Sequence, residues 1–374
     1  MNHNCTFFLL FAFAGMLLNA CKKDNTKPGQ SIDLEQLGDF KPSPYSSVGF
    51  NFAGDPVIQS EGVIYEWKPT EKNWIKLADA IPATIDFGYL LQDKQGEYYG
   101  GTSNSLFKLD KTTLLWDTLR LENYATSISR PIMLTNEMGD MVARISDGEN
   151  FYYFKKQADA TTWTKFKEQA PAQEGDATPY FLTNSGLIYY SYPNLPPYPF
   201  GRLHEKTMNF NSGVTGKLFV KSELENAGIQ VEYNIDNQND PSMCIDADGK
   251  VYILNRLNGT TDKCILYTLT PPVIPAPLVT AQIFNIPTVK EATDDWTTEV
   301  VFVPFSVDDA GNLKLMLLNS KLDQSDAYWA GATARIGSPD IHSDGEHINQ
   351  NEIHQNLQGD TYLFAYFDYF YKWE

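Results

Sequence analysis

The chain has 374 residues and a formal net charge of −18, with 47 acidic side chains against 29 Lys and Arg. Such a balance repels phosphate backbones, which excludes nucleic acid as a partner and argues against adhesion to anionic lipid by charge. Aromatic content is 13%, a composition that suits β-structure and supplies rings for ligand contact.

The first element is an apolar run without charge from Phe7 to Leu18. It suits the apolar core of a signal peptide and falls short of the roughly 20 residues a membrane-spanning helix needs. The run ends in Leu18-Asn19-Ala20-Cys21. This sequence resembles the bacterial lipobox, with Leu three residues before the cysteine and a small residue immediately before it. The resemblance implies a signal peptide over residues 1–20, cleavage before Cys21, and lipidation of its thiol with fatty acyl chains such as palmitate. One departure is that the stretch before the run carries only the amino terminus and His3, with no Lys or Arg. An ordinary cleaved signal peptide with an incidental cysteine is the alternative.

Residues 21–31 are polar and turn-rich and read as a flexible tether after the lipidated cysteine. A charged stretch in this position is similar to lipoproteins of the Bacteroidetes, in which an acidic version directs display at the cell surface. Here Lys22 and Lys23 accompany Asp24. The expectation is therefore a lipid-anchored protein of the outer membrane, at the cell surface or on its periplasmic side. No later apolar run is long enough to span a bilayer.

Residues 32–374 form the body. Short alternating apolar segments are broken by turns with an Asp or Asn and a glycine: Ala53-Gly54-Asp55, Asp93 to Gly96, Asn136 to Gly139, Asn184-Ser185-Gly186, Asp246 to Gly249, Asp308 to Gly311 and Asn356 to Gly359. Glycine takes positive φ without strain, and Asp or Asn bonds the neighbouring backbone, so each reads as a hairpin turn. A repeat of about 40–50 residues built from hairpins predicts an all-β fold, a seven-bladed β-propeller with four strands per blade. The second repeat shows the pattern best: Ile85 to Gln92, Glu97 to Thr102, Ser105 to Asp110 and Trp116 to Leu121. Tryptophans that open the outer strands, such as Trp74, Trp116 and Trp163, are expected to pack between blades. An eight-bladed ring and an irregular solenoid are the alternatives.

Phe370-Tyr371-Lys372-Trp373 matches Ile64-Tyr65-Glu66-Trp67, so the last repeat stops at its third strand. Ile32 to Phe40 is the expected fourth strand, closing the ring so that no edge is left unpaired. Cys244 and Cys264 fall on the first and third strands of one blade. Two strand spacings put them nearly 10 Å apart, which argues against a disulfide. The Asp-x-x-Gly turns are similar to those of two-component-regulator and kelch-like propellers, although the full kelch and WD dipeptide signatures are missing. This resemblance implies an architecture and carries no catalytic residue.

Two segments are candidates for a site on the face made by the loops between second and third strands and between blades. Tyr189 to Arg202 is stiffened by four prolines and offers Tyr192, Tyr198, Phe200 and Arg202, rings and a cation suited to a sugar or a peptide. Packing of these rings onto the blade is the alternative. Ser338 to Gln355 holds His342, His347 and His354 with Asp344 and other carboxylates. Those are metal-ligand types, but their spacing fits no metal motif, so a solvated acidic loop is expected and no metal or cofactor is called for. Tyr328 and Trp329, just upstream, could add a stacking platform.

Six arginines with no evident cluster do not suit a sialidase, and no phosphate loop or nucleophile elbow is present. The expected function is an extracytoplasmic, membrane-anchored binding module for glycan or protein, monomeric or part of an envelope complex. A carbohydrate-active hydrolase or lyase, using carboxylates or His and Tyr at the channel mouth, is the second reading. A structural subunit of an envelope complex is the third.

Overall fold

The computed structural model describes residues 34–43, 47–79, 89–102, 104–121, 129–147, 149–169, 178–191, 203–217, 226, 242–257, 260, 262–270, 278–287, 296–297, 306–307, 311–321, 327–343, 347–348, 353–364 and 369–373. The fold is all-β. A short strand, β1 (Leu34–Gln36), comes first, and the later strands group into successive antiparallel meanders.

The first unit holds β2 (Ser47–Phe50), β3 (Pro56–Ser60), β4 (Val63–Lys68) and β5 (Asn73–Asp79). The second holds β6 (Tyr89–Gln92), β7 (Tyr98–Gly101), β8 (Leu106–Asp110) and β9 (Leu115–Thr118), within a few residues of the expected strands. In the third are β10 (Ser129–Thr135), β11 (Met141–Ser146), β12 (Phe151–Lys156) and β13 (Thr164–Gln169). The fourth comprises β14 (Thr178–Leu182), β15 (Leu187–Ser191), β16 (Leu203–Asn209) and β17 (Thr215–Lys217). The fifth comprises β18 (Ser242–Ile245), β19 (Val251–Arg256), β20 (Lys263–Thr270) and β21 (Leu278–Asn285).

The sixth unit is less regular. Its long strands β24 (Asn312–Lys321) and β25 (Ala327–Arg335) are flanked by broken edges. On one side β22 (Trp296–Thr297) and β23 (Ser306–Val307) both pair with β24; on the other, β26 (Ile341–His342) and β27 (His347–Ile348) both pair with β25. The last unit contains β28 (Ile353–Gln355), β29 (Thr361–Phe364) and β30 (Phe370–Trp373), and its fourth strand is β1. Leu34 stands opposite Trp373 and Gln36 opposite Tyr371, so the segment singled out between residues 32 and 40 does supply the missing outer strand.

One departure from separate blades is instructive. The first two units share one eight-stranded sheet, joined where β2 and β6 pair in parallel at Phe50 and Leu91. Gly49 permits this approach: a Cβ there would lie 2.0 Å from the carbonyl oxygen of Leu90, which no side chain tolerates.

Side chains fill the gaps between consecutive units. Val57 and Ile64 meet Leu90 and Tyr98; Tyr99 and Leu106 meet Met141 and Phe154; Val142 and Tyr153 meet Ile188 and Met208. Tyr252 and Leu266 meet Leu315 and Ala332, while Ile58, Trp67 and Trp74 of the first unit meet Tyr362 and Phe370 of the last. Each large side chain buried this way contributes about 1.5–3 kcal/mol. The tryptophans behave as expected: Trp74 lies edge-on to Phe370 at 5.6 Å and donates its indole N–H to Leu37 O at 2.7 Å. Trp116 and Trp163 flank the clusters on either side of the second unit. Fourth and fifth units are joined by Tyr189 Oη donating to Gly249 O at 2.8 Å, sixth and last by Lys314 Nζ donating to Trp373 O at 2.6 Å.

Cys264 is a buried, unpaired thiol, in agreement with the expectation of no disulfide. Its register explains why. Cys244 faces Tyr252, which faces Thr268, whereas Cys264 faces Arg256 farther along β19. Burial pushes the Cys264 thiol up to about 12, so it stays protonated as a small core hydrophobe.

Candidate functional site

An antiparallel meander alternates its connections between two ends. Turns between first and second strands, and between third and fourth, share one end, here termed the turn end. Connections between second and third strands, and those between units, share the other, the loop end.

At the turn end, six of the seven expected hairpins are described and are built alike. They are Asn51–Asp55, Asp93–Glu97, Asn136–Asp140, Thr183–Leu187, Asp246–Lys250 and Asn356–Asp360. In each, the first residue's side-chain oxygen accepts the fifth residue's N–H at 2.8–2.9 Å. In each, the glycine N–H returns to the first residue's carbonyl. Neighbouring turns are also bonded to one another: Asn136 Nδ2 donates to Thr183 O at 3.0 Å, and Asn356 Nδ2 to Gly54 O at 2.9 Å. Two of the sequence-level assignments need correction here. The capping residue of the first turn is Asn51, and that of the fourth is Thr183 rather than Asn184.

Buried charge at this end is fully engaged. The Asp93 carboxylate accepts from Lys156 Nζ at 2.9 Å and from Tyr99 Oη at 3.1 Å. Glu66 accepts from Asn51 Nδ2 at 2.9 Å and Tyr98 Oη at 2.7 Å, and pairs with Lys68 at 2.5 Å. Burial alone would raise the Glu66 carboxyl, but those hydrogen bonds and the Lys68 charge hold it below its ordinary range. Burial first, and the Glu66 charge second, push the Tyr98 hydroxyl far up, so it remains a donor. These groups are structural clamps between units.

The loop end is built differently. Between second and third strands its connections run from the two-residue turn at Glu61-Gly62 up to residues 192–202 in the fourth unit. Between units the longest is 218–241, which also leaves the fourth unit. On β14, the strand paired with β15 from which 192–202 departs, a bulge lies between Pro179 and Phe181, and the bulged residue is Tyr180, 39% exposed. A bulge of this kind re-aims a side chain at the rim of a sheet. Thr178 stands opposite Ser191, from which the chain enters 192–202, so Tyr180 lies beside the root of that connection. The neighbouring β10 has a similar irregularity between Ser129 and Ile132.

Two further groups of the third unit share this end. Arg144 of β11 is buried, with its guanidinium 4.5 Å from the Phe151 ring centroid. Asp147 is exposed and accepts from Tyr152 Oη at 2.7 Å and from the N–H groups of Asn150 and Glu149 at 2.8 and 2.9 Å. The Tyr152 hydroxyl, then these amides, hold its carboxyl below the ordinary range. This end thus offers an exposed ring on the fourth unit and a fixed negative charge on the third, equipment for stacking and for accepting hydrogen bonds from hydroxyl or amide groups.

Of the residues singled out from sequence, Cys21, Tyr192, Tyr198, Phe200, Arg202 and Asp344 lie outside the described residues. Tyr328 and Trp329 lie at the loop end of β25, opposite Asn319 and Leu318. The segment from Ser338 to Gln355, expected as one irregular loop, divides between two sheets. His342 pairs with Thr333 and His347 with Ala330 at the outer edge of the sixth unit, while His354 lies on β28 of the last, opposite Tyr362. Among the described residues no three His, Cys, Asp or Glu side chains converge as a metal site. Burial pushes the His354 imidazole down to about 4, so it is neutral at physiological pH. Tyr180 was missed in the sequence, although the proline before it was a legible sign of an edge strand or a bulge.

The sheets and their end-to-end packing define an all-β protein of the propeller-like type. No family model matches the chain, and no curated protein does. Several solved structures resemble it in fold. A catalytically inactive virginiamycin B lyase from Staphylococcus aureus with quinupristin is 11% identical at a TM-score of 0.51, the match covering 91% of this chain and 99% of that one. An oligogalacturonate lyase in complex with manganese is 8% identical at 0.51, over 92% and 97% of the two chains. YCF48 bound to D1 peptide is 9% identical at 0.51, over 92% and 98%. At such identities the likeness shows the fold alone.

Proposed function

We propose that the units close into a seven-bladed ring held to a membrane by lipid on Cys21, and that the loop end binds a glycan or a protein. The unbroken succession of contacts from the first unit to the last and back supports the ring. The observation that carries the binding reading is the asymmetry of the two ends. Hairpins between first and second strands at the turn end are nearly identical, whereas the two longest connections leave the fourth blade from the loop end, one of them from Ser191 on the strand paired with that of exposed Tyr180. Long connections on a rigid scaffold are where recognition is placed.

The test is a binding screen of the mature chain against a panel of polysaccharides and peptides, beside the Tyr180→Ala and Tyr198→Ala variants. Saturable binding that weakens about tenfold on loss of an aromatic anchor is the expected result. No binding by the parent protein, or equal binding by both variants, would reject this reading. The lyase names of two fold neighbours support a second reading, catalysis on a carbohydrate, which release of product during incubation would bring forward. Lipidation is tested separately, by incorporation of an alkynyl fatty acid that disappears in Cys21→Ala.

A further inference from the structure

We propose that the turn end is the membrane-facing surface of the anchored protein, resting on the headgroup region of the bilayer, and that the loop end points away from it. The inference rests on the lipidation of Cys21 proposed above. Its structural basis is the register of the closing strand. Leu34 stands opposite Trp373, and Trp373 stands opposite Thr361, which directly follows the Asn356–Asp360 turn. The chain therefore enters the body at the turn end and runs along β1 toward the loop end. Only residues 22–33 separate Cys21 from Leu34, a reach of about 40 Å even at full extension. The acyl chains are thus tied to the end that carries the hairpins, and the long connections are held on the far side.

A second observation agrees with this placement. Large apolar side chains stand exposed at the tips of this end: Leu114 in the turn before β9, Leu115 at the first position of β9, Met138 in the turn before β11, and Val214 between β16 and β17. Ile336, between β25 and β26, joins them, with its N–H on Gly311 O of the neighbouring hairpin. They are distributed over several units, as shallow contacts to a planar surface would be. A protein with a net charge of −18 gains little from anionic headgroups, so apolar tips and the anchor supply the attraction.

The experiment uses full-length protein purified from membranes and reconstituted in phosphatidylcholine vesicles. Two variants each add one exposed cysteine, Met138→Cys at the turn end and Glu149→Cys at the loop end. Reaction with an impermeant maleimide is followed in vesicles and in detergent-released protein, with the parent chain as background. Vesicle binding should slow Met138→Cys about tenfold and leave Glu149→Cys unchanged. Equal rates at both positions, or slowing confined to Glu149→Cys, would overturn the orientation. Intact mass reads the anchor independently. Lipidated protein with equal rates sinks the orientation alone, whereas absence of the acyl mass sinks the anchor and the orientation together.

Discussion

The two ends of this molecule use the same strands and obey different rules. At the turn end every described hairpin between first and second strands repeats one five-residue solution, and several buried polar groups bond across the gap to the next unit. At the loop end, connections differ in length from unit to unit, strands bulge, and a tyrosine is left exposed. The difference separates two tasks. Registration of one unit on the next is concentrated in the turns, which leaves the opposite connections open to variation without loss of the scaffold.

The comparison breaks most readily at the buried ion pair. Asp93 and Lys156 have side chains 0% and 3% exposed, and they join the second unit to the third. Lys156→Met leaves a buried carboxylate without its cation and should cost about 3–5 kcal/mol in urea unfolding, whereas Asp93→Asn combined with Lys156→Met should recover most of the loss. Next in size is Gly249→Ala. Its φ of 85° is strained for any side chain, and the new Cβ would lie 2.8 Å from Tyr189 Oη and 2.9 Å from a Thr183 methyl. A loss of about 2–3 kcal/mol is expected, against about 1 kcal/mol for Gly359→Ala, which has similar φ but open space around it. Equal losses would show that close approach between turns contributes nothing.

Acid sharpens the comparison further. Above pH 6.5 the His354 imidazole is neutral in folded and unfolded chains alike, so it adds no pH dependence. Between 6.5 and about 4 only the unfolded chain binds the proton, so stability falls as pH falls through that window. The contribution should reach about 2 kcal/mol after allowance for partial exposure, and His354→Gln should flatten that part of the pH profile. The smallest expected effect is Tyr180→Ala, which should change stability by less than about 0.5 kcal/mol while weakening ligand binding. A large loss of stability there would show that the ring supports the fold rather than recognition.

Much of the fold was legible because its punctuation is chemical. Glycine at positive φ with an Asx residue ahead of it has few other uses in a strand-rich chain, and the match of Phe370–Trp373 to an earlier third strand exposed the missing fourth. Other features lay beyond a single sequence. Thr183 replaces Asp or Asn as a cap through its hydroxyl, so the fourth turn was read one residue late. Gly49 carries no turn signal in the sequence, yet it permits the approach that fuses two units into one sheet. The histidines between residues 342 and 354 looked like one cluster because they are near in sequence, and the break between two sheets separates them. Tyr180 was hidden for a related reason: its exposure comes from a bulge, and strand alternation alone predicts none.

The pairing of β1 with β30 has a kinetic consequence. Once made, β1 cannot complete its sheet until β30 has been synthesised, with nearly all the described strands lying between Leu34 and Trp373. Closing so long a loop costs more entropy than closing any hairpin, and folds dominated by such pairings are slow to form. Until that moment β30 presents an unpaired edge, the kind that invites pairing with another chain. A strand of three residues therefore governs the interval during which the newly made protein is open to aggregation and proteolysis, and cutting it away should lengthen that interval indefinitely.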